Sequence, residues 1–314
     1  MIKHLLILGC LVVTQMTSLA QFKKLKVNVE QAESCISEPY KLVFHDDFDG
    51  NVLDTAKWYT YYPYGPEKVK DSCAFCRTHV SANIYRDTNC IVKDGKLILK
   101  SAKQKAEWFG KMYEYTSGMV HSKTKFTTYG KYEIRCKLPP GKQQWPAFWI
   151  FGWNTEIDIF EFICQGPQKP EFSIHKWITP TCPDRKRAAK GKPCYSSQTG
   201  IVNFGTDFSQ DFHTFTVEYE PHLIKFYIDG IMIRYVPKYY DLKGRPINTC
   251  NIKPGEYLTE PSFPIYGEPV QVIANQSVCR KHKEKNPVYP NFMEIDYIRV
   301  YQKELQSGFI EIVK

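Results

Sequence analysis

The densest concentration of reactive side chains in the sequence is Glu156-Ile157-Asp158-Ile159-Phe160-Glu161. Glu156 and Asp158 are two residues apart, so on a β-strand both carboxylates leave by the same face. Glu161 follows Glu156 at an odd offset, which would turn it to the opposite face. One β-bulge near Ile159-Phe160 restores the parity and brings all three acids to one side, with Ile157 directed into the core. Carboxylates crowded on one face repel each other, which raises at least one pKa and separates their roles. An ionised nucleophile and a protonated acid roughly 5 Å apart are what a retaining glycosidase needs. An acidic strand is more often a solvated face. Here Trp145-Pro146-Ala147-Phe148-Trp149 and Trp153 flank it, which is poor company for one.

The elements that must carry this motif read as strands. Tyr132, Ile134, Cys136 and Leu138 alternate with Lys131, Glu133, Arg135 and Lys137, the period-2 pattern of a half-buried strand. Phe215, Val217 and Tyr219 alternate with Thr214, Thr216 and Glu218. Asp229-Gly230 follows Ile224, Phe226 and Ile228 as a two-residue hairpin signal, and Asp94-Gly95 makes the same turn before Leu97-Ile98-Leu99. A last strand is expected over Met293 to Tyr301. Helix signals are scarce, and no linker or compositional shift divides the chain. One all-β domain, a two-sheet sandwich, is the economical reading.

Composition agrees. The 314 residues are 43% apolar and 24% charged, with 15% aromatic residues including 21 Tyr and 19 Phe, a balance that favours folded strands over disorder. There is no repeat period, GxSxG elbow, Walker loop, GxGxxG or HExxH. Residues 1–20 have a basic start at Lys3 and His4, an apolar stretch from Leu5 to Val13, and small residues at Ser18 and Ala20. They are expected to be a secretory signal cleaved after Ala20. The rival, a lipid anchor on Cys10, is disfavoured because the segment after Cys10 stays apolar. The longest later apolar run, Trp145 to Trp153, is about half a membrane span, so no membrane crossing is expected. Cys10 aside, ten cysteines remain, an even number that in an exported chain reads as a disulfide set whose connectivity stays open. Cys182 and Cys194 are the most plausible local bridge. Cys136 fits a buried thiol, and zinc at Cys73 and Cys76 lacks a second matching pair. The net charge of +9 includes Arg185-Lys186-Arg187 with Lys190 and Lys192, and Arg280-Lys281 with Lys283 and Lys285. These read as solvated loop charges, with an anionic polysaccharide partner as the alternative; a polysaccharide substrate is expected and nucleic acid is not.

The acid motif and its surroundings resemble glycoside hydrolase family 16. Matching stretches include Leu42 to Gly50, Leu53-Asp54, Lys57-Trp58 and Tyr115 to Val120. Further matches are Tyr129 to Glu133, Trp145 to Trp149, Phe212 to Phe215, Phe226 to Gly230 and Met293 to Tyr301. The resemblance runs over about 40–303 and implies a catalytic domain there, after a signal peptide at 1–20 and an N-terminal extension at 21–39, with a tail at 304–314. It implies a β-jelly-roll sandwich with an open substrate cleft. It also implies a monomeric, secreted or periplasmic endo-β-glycanase that needs no cofactor for its chemistry. Glu156 would be the nucleophile, Glu161 the general acid/base, and Asp158 the acid that tunes Glu156. Trp145, Trp149, Trp153, His175 and Asn275 would contact substrate, with His175 near Glu161. A structural calcium would use Gly95 and Asp296.

The two residues between Asp158 and Glu161 resemble the laminarinase, agarase, carrageenase and porphyranase branches rather than the lichenases. The inserts Pro63 to Arg86 and Thr179 to Cys194 have no clear counterpart and are expected to wall the cleft. Asn275 to Arg280 replaces a Gly-rich stretch. The polymer stays open between a β-1,3-glucan and a galactan, with a lean from the positive charge toward a sulfated one. Two other classes compete. A non-catalytic sugar-binding sandwich would have little reason to keep three carboxylates, and a transglycosylase would pass the covalent intermediate to a sugar hydroxyl.

Overall fold

The computed structural model describes residues 24–29, 39–62, 73, 75–78, 80–126, 129–178, 194–249, 252–264, 268–281 and 284–303. The expected signal segment and the Cys182 end of the proposed local bridge lie outside them. Seven strands form the sheet that carries the acid motif: β1 (Trp58–Tyr59), β2 (Met119–Ser122), β3 (Gln144–Phe151), β4 (Thr155–Glu161), β5 (Glu171–Ile178), β6 (Cys194–Ile201) and β7 (Gln271–Val278). Their order across the sheet is β6-β5-β4-β3-β7-β2-β1, with every pairing antiparallel. An eight-stranded sheet lies opposite, centred on Gly130–Lys137 and Asn291–Gln302.

Alternation builds the core between them. Phe148, Ile150, Ile157, Phe172, Ile174, Val272 and Ala274 leave one face of the first sheet. They meet Ile134, Cys136, Phe215, Val217, Phe226, Ile295 and Val300 from the second, all in one buried cluster. The expected period-2 strands are therefore present with their apolar faces inward, and Cys136 is a fully buried thiol. Both two-residue turns form as read. Asp94 and Gly95 have φ of 53° and 66°, and Asp229 and Gly230 have 49° and 76°, the left-handed pair that a type I′ hairpin needs. The only helical element among the described residues is the single turn Asp87–Asn89. No helix there is long and apolar enough to cross a membrane.

Two matched motif residues prove to be parts of the scaffold. The Trp58 indole N–H donates to Asp46 Oδ2 at 2.7 Å, with Trp58 2% exposed. At the expected calcium position Asp296 meets a cationic side chain. On Asn291–Gln302 the pairing with Gly130–Lys137 skips a residue between Tyr297 and Ile295, and Asp296 occupies that bulge. Its Oδ2 lies 2.5 Å from Arg135 Nη1, while the nearby Glu294 carboxylate takes Lys96 and Lys137. Arg135 thus already pairs with the one carboxylate expected to hold the ion.

Candidate active site

The bulge that the acid motif requires is present at Ile159. Across β3 the register steps from Trp149 opposite Asp158 to Phe148 opposite Phe160, and the pairing with β5 gains one residue between Asp158 and Glu161. Ile157, Ile159 and Phe160 thus all enter the core at 1% exposure or less. Glu156, Asp158 and Glu161 all line a cleft of ≈ 480 Å³ on the opposite face. Trp145, Trp149, Trp153, His175 and Asn275 line it too, so every expected catalytic and substrate-contacting residue is brought to one place.

Each acid is held by one ring nitrogen. Trp145 Nε1–H donates to Glu161 Oε1 at 3.0 Å, Trp177 Nε1–H donates to Glu156 Oε2 at 2.8 Å, and His175 Nε2 lies 2.9 Å from Asp158 Oδ2. His175 sits directly opposite Glu156 in the β4–β5 register and bonds to Asp158. It therefore bridges the motif, bonded to Asp158 and close enough for its charge to act on both Glu156 and Glu161. Its ring stacks on Trp177 at 6.0 Å and 10°.

The tryptophans divide by exposure. Trp153 is 72% exposed at the rim, a free face for a sugar ring. Trp149 is only 7% exposed; it packs against Tyr62 and Phe151, and its N–H donates to Asn275 Oδ1 at 2.8 Å. Asn275 then donates through Nδ2 to Ser277 Oγ at 3.1 Å. Ser277 Oγ lies 2.5 Å from the Tyr85 hydroxyl, which lies 3.0 Å from that of Tyr62. This network ties the wall segment to β7, as do the Val278 N–H to Asn83 Oδ1 and the Ala82 N–H to Val278 O. Tyr62, which lines the cleft, stands just before the first insert, and none of that insert's described residues lines the cleft. The second insert lies outside the described residues except for the backbone of Cys194.

Burial drives the electrostatics. It pushes the Glu156 carboxyl from 4.5 up to about 7, helped by the Asp158 charge and opposed by His175 and the Trp177 N–H. Glu161 is raised well above its ordinary value, again by burial first, then by Asp158, with the Trp145 N–H opposing. Asp158 is raised by burial and then by Glu171 of β5, which stands opposite Glu161. Asp158 and Glu161 titrate as a linked pair, with Glu156 raised beside them. Desolvation and like charge together keep part of the set protonated near neutral pH, as acid catalysis requires.

One ligand atom each of Glu156, Asp158 and His175 falls within 4.8 Å of the others, the one such group among the described residues. Those same side chains are engaged with each other and with Trp177. Sequence reasoning missed Trp177, Tyr62, Phe151 and Ser277 as lining residues. Trp177 was within reach, because it follows His175 by two on the same strand face.

A family model described as glycosyl hydrolases family 16 matches residues 80–260. The chain is 27% identical over 288 residues to the glucan endo-1,3-beta-glucosidase A1 of Niallia circulans, covering 84% of this chain and 38% of that protein. It is 34% identical over 157 residues to the glucan endo-1,3-beta-glucosidase of Cryptopygus antarcticus, covering 46% of this chain and 53% of that one. The chain thus spans about half or less of these two relatives. Among solved structures, the catalytic domain of an endo-1,3-beta-glucanase (laminarinase) from Thermotoga petrophila RKU-1 superposes with a TM-score of 0.61 at 25% identity. That match covers 85% of this chain and all of the other.

Proposed function

This chain belongs to glycosyl hydrolase family 16, and on that premise we propose that it is an endo-acting β-glucan hydrolase that cleaves by retaining double displacement. The observation that carries the reading is the bulge at Ile159, which puts Glu156, Asp158 and Glu161 on one cleft face with a ring nitrogen on each. Glu156 Oε1 attacks the anomeric carbon while Glu161 gives its proton to the departing sugar oxygen. Water then attacks the same carbon, Glu161 takes the water's proton, and the bond to Oε1 breaks. Asp158, held by His175, adds the negative charge that makes ionisation of its neighbours costly.

The substrate is a neutral β-1,3-linked glucan. Among the described residues lining the cleft there is no Lys or Arg, while the exposed Trp153 at its rim offers a stacking face for a sugar ring. The lean toward a sulfated galactan rests on the net positive charge and on the basic segment around Arg185, and that segment lies outside the described residues. The relatives named above as glucan endo-1,3-beta-glucosidases support the glucan. Export is part of the proposal: Cys73–Cys76 and Cys164–Cys279 are disulfides, which persist in oxidising compartments and agree with the leader-like residues 1–20.

The test is release of reducing ends from laminarin, porphyran, agarose and carrageenan, with Glu156→Ala as control. Laminarin should be shortened internally and the galactans left intact. Galactan cleavage would overturn the substrate assignment. Binding to laminarin with no cleavage would overturn the enzyme reading.

A further inference from the structure

Two cleft-facing positions of β5 grip two acids of β4 with the same diagonal offset. His175 stands opposite Glu156 yet meets Asp158, and Trp177, whose backbone N–H donates to Asn154 O, reaches across to Glu156. We propose that Trp177 is the positioning residue of Glu156: its indole N–H fixes Oε2 and leaves Oε1 as the oxygen that attacks. The proposal rests on the reading of Glu156 as the nucleophile.

The Trp177 ring cannot turn freely, because it lies parallel to the His175 ring, which is itself tied to Asp158. A single donor on Oε2 makes the two carboxylate oxygens inequivalent before substrate arrives. In the first step the C1–Oε1 bond forms, the bond to the leaving sugar oxygen breaks, and that oxygen takes the Glu161 proton. Oε2 becomes the carbonyl oxygen of the ester and keeps its N–H. In the second step water's oxygen bonds to C1, Glu161 takes the water's proton, the C1–Oε1 bond breaks, and the released carboxylate regains a charge-assisted hydrogen bond. The donor therefore favours departure of Glu156 over attack by it, because it is stronger to the ionised group than to the ester.

The charged neighbours that Glu156 meets are Asp158 and Glu161 from its own strand and His175 from β5. Its β3 neighbour is the uncharged Phe151, and Lys176 lies on the other face of β5. Against these Trp177 contributes a neutral donor, so its loss has a distinct signature. In Trp177→Phe the flat ring stays and the N–H goes. Carbon-13 NMR of the labelled glutamate carboxyls, with the Glu156 signal assigned by its absence in Glu156→Gln, reads the titration without any substrate. The Glu156 midpoint should rise by about one pH unit, the worth of one hydrogen bond to a charged group. The acid limb of kcat/KM should move by the same amount, and a burst of aglycone should appear as the second step slows.

An unmoved Glu156 midpoint in the folded variant overturns the proposal. The unaltered protein supplies a second measurement: the Trp177 indole 15N–1H signal should titrate with the same midpoint as the Glu156 carboxyl. An indole signal indifferent to that titration also overturns it. Both NMR readouts hold whether or not any glycan is cleaved, so a failed glycosidase assay and a failed role for Trp177 are separate results.

Discussion

Replacing Glu156 by Gln should make the protein more stable, and only above a particular pH. The folded protein holds the Glu156 proton up to about pH 7, whereas the unperturbed group loses it near 4.5. Below 4.5 both states are protonated and the group is neutral to stability. As pH climbs from 4.5 to 7 the unfolded chain releases the proton and the folded one does not, so folding is progressively penalised. The rise from 4.5 to about 7 corresponds to roughly 3 kcal/mol at full development, an upper value because the cleft is open to water. Gln is neutral at all pH values and can still accept the Trp177 N–H, so it escapes the penalty. For a domain of this size about 1–3 kcal/mol is worth a rise in Tm on the order of 5 °C. Scanning calorimetry of parent and Glu156→Gln from pH 4 to 9 should show coincident melts near pH 4 and a gap that opens through pH 7. A variant that melts at or below the parent at pH 8 would refute the buried-charge reasoning. A gap as large at pH 4 as at pH 8 would refute its electrostatic origin.

Glu156→Gln and Glu161→Gln should each abolish turnover with the fold intact, whereas Asp158→Asn should lower kcat less, because Asp158 acts through its neighbours; matched kinetics and melts check the order. Replacing both Cys164 and Cys279 by Ser opens a link between residues 115 apart, which joins the end of β4 to the end of β7. It should cost about 4 kcal/mol and lower Tm by on the order of 10 °C in a melt without reductant. Laminarin cleavage should change little between low and physiological salt, since no cation among the described residues lines the cleft; a steep decline in initial rate would point to a charged polymer.

The sandwich was legible because its rules are local. Alternation at Tyr132, Ile134 and Cys136 sets which face is buried, and Asp-Gly dipeptides set two hairpins. Even the bulge at Ile159 could be read, because three acids with mismatched parity beside apolar residues have one consistent folding. What stayed hidden depends on distant pairings. Tyr85 meets Ser277 across 192 positions, and nothing in either residue's neighbourhood announces it. The partner of Cys164 was undetermined for the same reason. The Arg135 partner of Asp296, 161 positions away across a bulge, was not legible either. Trp177 was overlooked for a different reason: its role depends on which diagonal the β4–β5 register selects.

The most direct test of the account is the configuration of the first product. Proton NMR of laminarin cleavage, recorded before mutarotation, should show the β-anomer at the new reducing end, because Glu156 and Glu161 on one face leave no place for an inverting water between them. An initial α-anomer would contradict Glu156 as nucleophile and with it the double-displacement mechanism.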